Sequence, residues 1–225
     1  MKHLAFFSFV IILAAPISVQ AQIGLYAGAQ SNNVNYLIDG TKQDTKMKAG
    51  FQVGAQMKIP FENRLFFSPA VTYSYKGYDV TFNKSAVPPD VNALNNSTAY
   101  HTVEFSPLLQ IDLGKKSNYP FIRFGPSIDL LLAGKETYDL KAGGSNSRKM
   151  NFSMSSIYGM FGASLIGQLG VETKSGFSIF AHYNYGIASI SNQDGGPRIV
   201  HRIFGLSVGK YLKKDKIVID TRNRQ

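Results

Sequence analysis

The sequence predicts an all-β chain, eight antiparallel strands closed into an up-and-down barrel that spans a membrane. Three observations carry this prediction. Apolar and polar residues alternate with a period of two along most of the 225 residues. The alternating segments run 11 to 16 residues, whereas strands of water-soluble domains average about five or six and a tilted strand needs about 9–11 to cross a bilayer. Formal charge gathers on one of the two faces that the alternation creates.

Composition narrows the chemistry before any element is placed. Cys and Trp are absent, which excludes disulfides, thiolate nucleophiles and cysteine-ligated metal. Hydrophobic residues make up 44% and charged residues 17%, so the chain has enough apolar surface to fold. The formal net charge is +10, but Lys and Arg are scattered as singles and pairs such as Lys115-Lys116 and Arg148-Lys149. No basic helix face emerges, so anionic lipid headgroups or glycan phosphates are the expected counter-charges and nucleic acid is not a partner.

Residues 1–21 read as a secretory signal peptide. Lys2 supplies a basic start, Leu4 to Ala15 is a near-continuous apolar run, and Val19-Gln20-Ala21 places small residues at a cleavage position. Beyond Ala21 no apolar stretch approaches the ~18 residues of a transmembrane helix.

The barrel is expected over 22–212. Its clearest strand is Lys48–Ile59, where Ala49, Phe51, Val53, Ala55, Met57 and Ile59 alternate with small or polar residues. The same reading yields Gln22–Asn32, Leu65–Tyr78, Thr98–Leu113, Tyr119–Leu132, Ser156–Val171, Phe177–Ile190 and Ile199–Leu212. Connections then alternate: Pro60–Arg64, Gly114–Asn118 and Glu172–Gly176 are short, Asn33–Met47, Asp79–Ser97 and Ala133–Ser155 are long, and Ser191–Arg198 is intermediate. Short turns on one rim and long loops on the other is the outer-membrane pattern, and an even strand number puts both termini on the short-turn, periplasmic side.

The faces are separated by charge. Phe67, Val71, Tyr73, Tyr75, Val103, Phe105, Leu109, Ile111, Ile122, Phe124, Ile128, Leu130, Phe161, Leu165, Leu169, Ile179, Tyr183 and Ile187 share the bulky face without an acidic or basic residue. The opposite parity carries Lys58, Lys76, Glu104, Asp112, Arg123, Asp129, Glu172 and His182. A charge facing lipid near the midplane costs about 2–4 kcal/mol. A soluble barrel, in contrast, needs charge on its outer face, so the exclusion favours lipid.

Eight strands enclose an interior just wide enough for side chains to fill. Lys58, Lys76, Glu104, Asp112, Arg123, Asp129 and His182 are therefore expected to form a polar network inside the barrel, not to line an open channel. Pro69, Pro107 and Pro126 sit well inside proposed strands, where each removes a ladder donor, so bulges or register breaks are expected there. Tyr26, Tyr73, Tyr75, Tyr119, Tyr158, Tyr183, Tyr185 and Tyr211 lie mostly toward strand ends, where two readings stand side by side: rings at the headgroup level or simple strand propensity.

Val103-Glu-Phe-Ser-Pro-Leu-Leu-Gln110, followed by Tyr119-Pro-Phe-Ile-Arg-Phe-Gly-Pro126, resembles the Bacteroidetes outer-membrane β-barrel family often labelled PorT-like. Gly167–Glu172, Phe180–Ile187 and Gly205–Tyr211 extend the likeness from about Gln22 to Leu212. The resemblance implies an eight-stranded outer-membrane barrel of the porin-family type, with a link to protein secretion for the member that gives the family its label, and no catalytic residues. Barrels of this kind commonly finish on an aromatic residue read by the assembly machinery. Here 213–225 continue past Tyr211 as an expected periplasmic tail.

Candidate chemistry is sparse. His101 falls on the apolar face, His201 lies at the start of the last strand, and His182 points inward toward carboxylates such as Glu104 or Asp129. Structural pairing of His182 is favoured over a hydroxyl–base–carboxylate arrangement. No two histidines share a ligand spacing, so no metal site is expected, and the glycine-rich pieces precede no helix that would hold phosphate, so no cofactor is expected either.

The long loops hold Asp39, Lys42, Asp44 and Lys46, then Pro88-Pro-Asp90 with Asn92, Asn95 and Asn96, then Lys135, Glu136, Asp139, Lys141, Arg148 and Lys149. Any specific recognition of a protein or glycan is expected there, and solvated cover with no single partner is the other reading. The first functional reading is a non-catalytic outer-membrane barrel with a structural, adhesion or assembly role, in contact with outer-membrane lipid, lipopolysaccharide and the assembly machinery. A narrow solute pore gated by Lys58, Arg123, Glu104 and Asp129 is the second reading, and a lipid-modifying enzyme centred on His182 the third. The fold predicts a β-rich circular-dichroism spectrum and a heat-modifiable shift in gel mobility for membrane-extracted protein. A helical spectrum, or a polypeptide freely soluble without detergent, rejects it.

Overall fold

The computed structural model describes residues 21–85, 87–114 and 118–212. The expected leader (except Ala21), the Lys115-Lys116 pair and the expected tail at 213–225 lie outside the described residues.

Ten strands follow in chain order: β1 (Gln22–Ile38), β2 (Thr41–Lys42), β3 (Asp44–Glu62), β4 (Leu65–Thr81), β5 (Asn95–Asp112), β6 (Tyr119–Asp139), β7 (Ser145–Met150), β8 (Phe161–Glu172), β9 (Phe177–Gly186) and β10 (Arg198–Tyr211). Eight of them form the ring β1-β3-β4-β5-β6-β8-β9-β10, in which every neighbouring pair is antiparallel. It is sealed by β1 against β10, from Gly24 opposite Tyr211 to Leu37 opposite Arg198. The short strands β2 and β7 pair only with the outer parts of β1 and β6.

The eight expected segments match the eight ring strands, but several boundaries move, each for a physical reason. β1 and β3 run through most of the expected first long loop, because Asp39 and Gly40, at φ 47° and 74°, form a two-residue turn that continues the ladder as a hairpin. The expected third long loop likewise contains the β6–β7 hairpin. β8 starts at Phe161, not Ser156, and β9 ends at Gly186, not Ile190. The apolar residues Tyr158 and Ile190 that extended the alternation there are buried in the long-loop mouth of the barrel.

Alternation of burial follows the parity read from sequence. Val71, Phe105, Ile128, Leu165 and Ile179 point outward with about half their surface uncovered, while Thr72, Glu104, Asp129, Ser164 and Ser178 point inward. Within the outward belt, the charged residues are Lys210 near the short-turn rim and Arg202 near the other, and each lies over an aromatic ring, Phe177 and Tyr185 respectively. The tyrosines divide: Tyr73, Tyr75, Tyr183 and Tyr185 face outward, whereas Tyr26, Tyr158 and Tyr211 are buried inside. The headgroup reading therefore does not hold for Tyr26, Tyr158 and Tyr211. Parity, not position along the strand, decides where each ring goes.

The three prolines align. Pro69 lies opposite Pro107 in the β4–β5 ladder, and the β5–β6 register brings Pro107 opposite Pro126. Rungs are missing beside them, between Gln56/Ala70 and Ile59/Phe67 and between Phe105/Ile128 and Leu109/Phe124, yet the register is unchanged across each gap. The expected interruption is therefore a loss of rungs without a slip. Ser68 compensates in part, its hydroxyl donating to the Met57 carbonyl at 2.9 Å, where Pro69 has no N–H to offer. The bulges sit elsewhere, the most consequential against β6, where Thr102 pairs with Leu131 and His101 with Ala133. Leu132 is thus an extra residue. Below it the even-numbered residues of β6 point outward, and above it the odd-numbered ones do.

Ser68→Ala removes a donor from a carbonyl that no water replaces in hydrocarbon. It is expected to lower the unfolding free energy in lipid vesicles by about 1–2 kcal/mol. Ser127→Ala, whose buried hydroxyl has no partner among the described residues, is expected to change it little. Equal effects of the two in urea titrations would contradict the compensating role of Ser68.

Candidate functional site

The seven residues expected inside the barrel are all buried there, and the structure sorts them into layers. Nearest the short-turn rim, Lys58 Nζ donates to Asp112 Oδ2 at 2.7 Å, to Glu172 Oε2 at 3.0 Å and to the Tyr119 hydroxyl at 3.0 Å. It also lies 4.4 Å above the Phe66 ring. Gln110 Nε2 donates to the other Asp112 oxygen at 2.6 Å. Residues from β3, β5, β6 and β8 meet here because strand tilt and closure bring inward positions across the narrow bore.

Arg123 forms the next layer and is fully buried. Its guanidinium donates to the side-chain oxygens of Gln110 (2.5 Å), Gln56 (2.8 Å) and Gln168 (3.2 Å) and to the Tyr211 hydroxyl (3.2 Å). It stacks 4.2 Å from the Phe121 ring. No carboxylate is bonded to it among the described residues. Amide dipoles and ring faces carry the charge instead, each charge-assisted hydrogen bond contributing about 1.5–3 kcal/mol. These glutamines did not stand out in the sequence, and Tyr211 stood out only as a strand-end ring. Their inward parity was the available signal.

Higher in the barrel, Lys76 Nζ lies 3.0 Å from Asp129 Oδ1 and 3.5 Å from Glu104 Oε2. Glu104 also accepts from Ser106 at 2.9 Å and Asn184 at 3.3 Å. His182 sits beside this group without joining it, its Nδ1 3.3 Å from Gln52 Nε2, and Gln52 in turn donates to the Ser207 hydroxyl at 2.9 Å. No serine or carboxylate is bonded to His182 among the described residues. His201 points inward with its Nε2 2.6 Å from the Tyr100 hydroxyl, and His101, on the outward face, has its Nδ1 2.6 Å from the Tyr73 hydroxyl. The three histidines do not meet: His182 and His201 are inward in different layers, and His101 is outward. Room for these side chains comes from glycines opposite them: a Cβ on Gly205 would stand 2.6 Å from the Ala29 carbonyl and 2.7 Å from His182 Nε2.

Above Lys76 the inward face turns apolar. Val34, Tyr36 and Ile38 of β1, Tyr78 and Val80 of β4, Tyr100 of β5 and Ile199 of β10 pack with Leu131, Met150, Tyr158 and Ile190 into one buried cluster across the long-loop mouth. Tyr36 is fully buried, and its hydroxyl donates to the Pro88 carbonyl at 3.0 Å, which ties the β4–β5 loop over the mouth.

At the edge of this plug the β6–β7 hairpin builds a charged cap. Fully buried Glu136 accepts from the Arg148 guanidinium, from the Tyr158 hydroxyl at 2.6 Å and from Asn96 at 3.0 Å. Partial burial disfavours the charged form of Arg148, but the hydrogen bond and charge of Glu136 outweigh it and hold its pKa above the usual value. Burial pushes the Tyr158 phenol up. Hydrogen bonds from Ser145 and Asn95 hold Asp139 below the ordinary carboxylate range. Arg148, Met150, Tyr158 and neighbouring serines line a cavity of about 300 Å³ that opens outward. Among the described residues no group of three or more His, Asp or Glu stands close enough to hold a metal ion.

The sequence matches the outer membrane protein beta-barrel domain family over residues 17–192, and no curated protein matches it. Among solved structures it is similar to the attachment invasion locus protein Ail of Yersinia pestis, crystallised with the heparin analogue sucrose octasulfate, at 18% identity over 84% of this chain and 97% of that one, TM-score 0.41. It is similar also to the outer membrane enzyme PagL (11% identity, 85% and 99% covered, TM-score 0.46) and to OprG from Pseudomonas aeruginosa (9%, 87% and 98%, TM-score 0.40).

Lys58→Met leaves Asp112 and Glu172 facing each other in the bore without their cation. It is expected to destabilise the folded barrel by about 3–5 kcal/mol in urea titrations in lipid. Lys210→Gln, at the outer rim, is expected to cost at most about 1 kcal/mol. Equal losses for both would deny the lumen network its structural weight.

Proposed function

The chain belongs to the outer membrane protein β-barrel domain family, and from that premise we propose that it is a non-conducting, non-catalytic barrel that displays an ordered cap above the outer membrane for an adhesion or assembly role. The observation that carries this reading is the filling of the bore: ion pairs near one rim, Arg123 among glutamines in the middle and the Tyr36–Tyr78–Tyr100 plug at the other. A solute path would have to break all three. The strands continue past the outward apolar belt into hairpins packed on the plug, so the protein invests its length in a folded external surface.

Within this reading the leader at 1–21 is cleaved, both ends of the mature chain and the short turns face the periplasm, and the tail 213–225 extends there. The Val103–Gln110 and Tyr119–Pro126 segments support a finer placement among PorT-like barrels of Bacteroidetes. The surroundings of His182, an amide with no hydroxyl nucleophile or orienting carboxylate, support the absence of hydrolase or acyltransferase chemistry. Specific recognition then falls to the cap residues between Asp79 and Asn96 and between Ala133 and Tyr158.

Planar-bilayer recordings of the purified, heat-modifiable protein are expected to match empty lipid. Discrete conductance steps that change on Lys76→Gln or Arg123→Gln would overturn the closed-lumen reading in favour of a narrow pore. Lipid A altered in cells overproducing the intact protein, and restored on His182→Ala, would overturn the non-catalytic one.

A further inference from the structure

The Leu132 bulge places Lys135 on the outer side of the β6–β7 hairpin, directly opposite Lys149 in the ladder. Both side chains are exposed, and neither has a hydrogen bond or ion pair among the described residues. Like charges facing each other across a ladder are destabilising, and no carboxylate is bonded to either lysine among the described residues. Glu136 and Arg148, the next pair along, point to the other face and are bonded to each other. Asp79, two strands away, is engaged by Lys48 at 3.3 Å.

The position along the barrel identifies the missing counter-charge. In the outward rows, Lys135 pairs sideways with Ala99 and Ala99 with Gly77. The next outward row below contains Tyr75, His101 and Ala133, with the His101 ring 5.1 Å from Tyr75 and 5.8 Å from Tyr73. Below those rings the surface is apolar: Leu132, Leu130 and Ile128 on β6, Phe161 and Leu165 on β8, Val103 and Phe105 on β5. The two lysines thus stand one outward row above an aromatic band that caps an apolar wall. A ligand that complements this surface carries phosphate at its head and acyl chains beneath.

We infer that the Lys135–Lys149 rung is a binding site for the phosphate of a phosphorylated glycolipid in the outer leaflet, whose acyl chains lie against the Ile128–Leu132 face. The inference rests on the outer-membrane reading above and adds the headgroup chemistry and its seat. Relief of the lysine repulsion and the charge-assisted hydrogen bonds act together with burial of acyl surface, so affinity depends on phosphate and tail at once.

The test is native mass spectrometry of the full chain in a neutral detergent, titrated with diphosphoryl lipid A and, separately, with dephosphorylated lipid A. The intact protein is expected to retain the diphosphoryl form, and the Lys135→Gln/Lys149→Gln variant to bind it about tenfold more weakly or worse. An Arg64→Gln/Lys174→Gln variant, altered at exposed cations of the short-turn rim, is expected to bind as the parent does. Equal binding of both lipid forms by the parent, or undiminished binding by the Lys135/Lys149 variant, overturns the site. So does a loss on that variant seen with a soluble sulfated oligosaccharide but not with lipid A, which would make the occupant a soluble polyanion. Each variant is first checked for the heat-modifiable mobility of a closed barrel. A parent lacking that shift fails the membrane reading itself, whereas an intact shift with no phosphate preference fails only this inference.

Discussion

Closure of the sheet between β1 and β10 is the constraint from which the remaining features follow. In hydrocarbon an unpaired backbone N–H or C=O costs several kcal/mol, because no water is there to replace the partner. Fourteen consecutive pairs from Gly24/Tyr211 to Leu37/Arg198 join the first and last strands of the ring, so no strand edge is left within the belt. The exception proves how tightly the rule operates. At Pro69, Pro107 and Pro126 rungs are lost, yet the register holds on both sides and a serine hydroxyl serves the Met57 carbonyl. Three prolines in line also keep the loss to one place on the wall, where slip in one strand would have forced slip in the next.

Closing at eight strands then dictates the interior. The bore admits side chains and little else, so the inward charges must find their partners among other inward groups. That is why Lys58 reaches Asp112 and Glu172, residues 54 and 114 positions away in the chain, and why a buried arginine is satisfied by three glutamines and a tyrosine. Removing any one partner leaves a charge in a poorly solvating medium, which makes the network a strong determinant of a single strand arrangement even where its net contribution to stability is modest. The apolar plug obeys a different logic. Above the belt the barrel is surrounded by water, and burying Tyr36, Tyr78, Tyr100 and Ile199 inside gives the projecting strands the hydrophobic core that any water-facing β structure requires.

Parity was the legible part of this fold. A period of two assigns each residue of a strand to one face or the other without knowledge of its neighbours, which is why the outward belt and the inward charges were both readable from residues such as Phe105 and Glu104. Partnership was not readable, since the meeting of Lys76 with Asp129 depends on the registers of two successive strand pairs. Strand ends were obscured where alternation continued for another reason. Tyr158 and Ile190 alternate like strand residues but are buried as plug, and the Asp39-Gly40 turn hid a hairpin inside an apparent loop. The same parity, followed through Asn32, Val34, Tyr36 and Ile38 with its change from polar to apolar, held the signal for the plug. The inward tyrosines Tyr26 and Tyr211 held it for the rings.

The cap shows how much chemistry one inserted residue can redistribute. Without Leu132 as a bulge, the odd-numbered residues of β6 above it would keep the inward orientation of Arg123 and Asp129, and Lys135 would enter the plug. Glu136 would then face outward at headgroup height. A lysine would be buried among tyrosines with no carboxylate to meet it, and a carboxylate would stand on the outer surface of the barrel. The bulge exchanges the two. It brings Glu136 inward to Arg148, Tyr158 and Asn96 and turns Lys135 outward beside Lys149. A local irregularity in one ladder thus supplies both the bonded anchor of the cap and its unneutralised cationic side, and the two cannot be separated by any change that restores the regular strand.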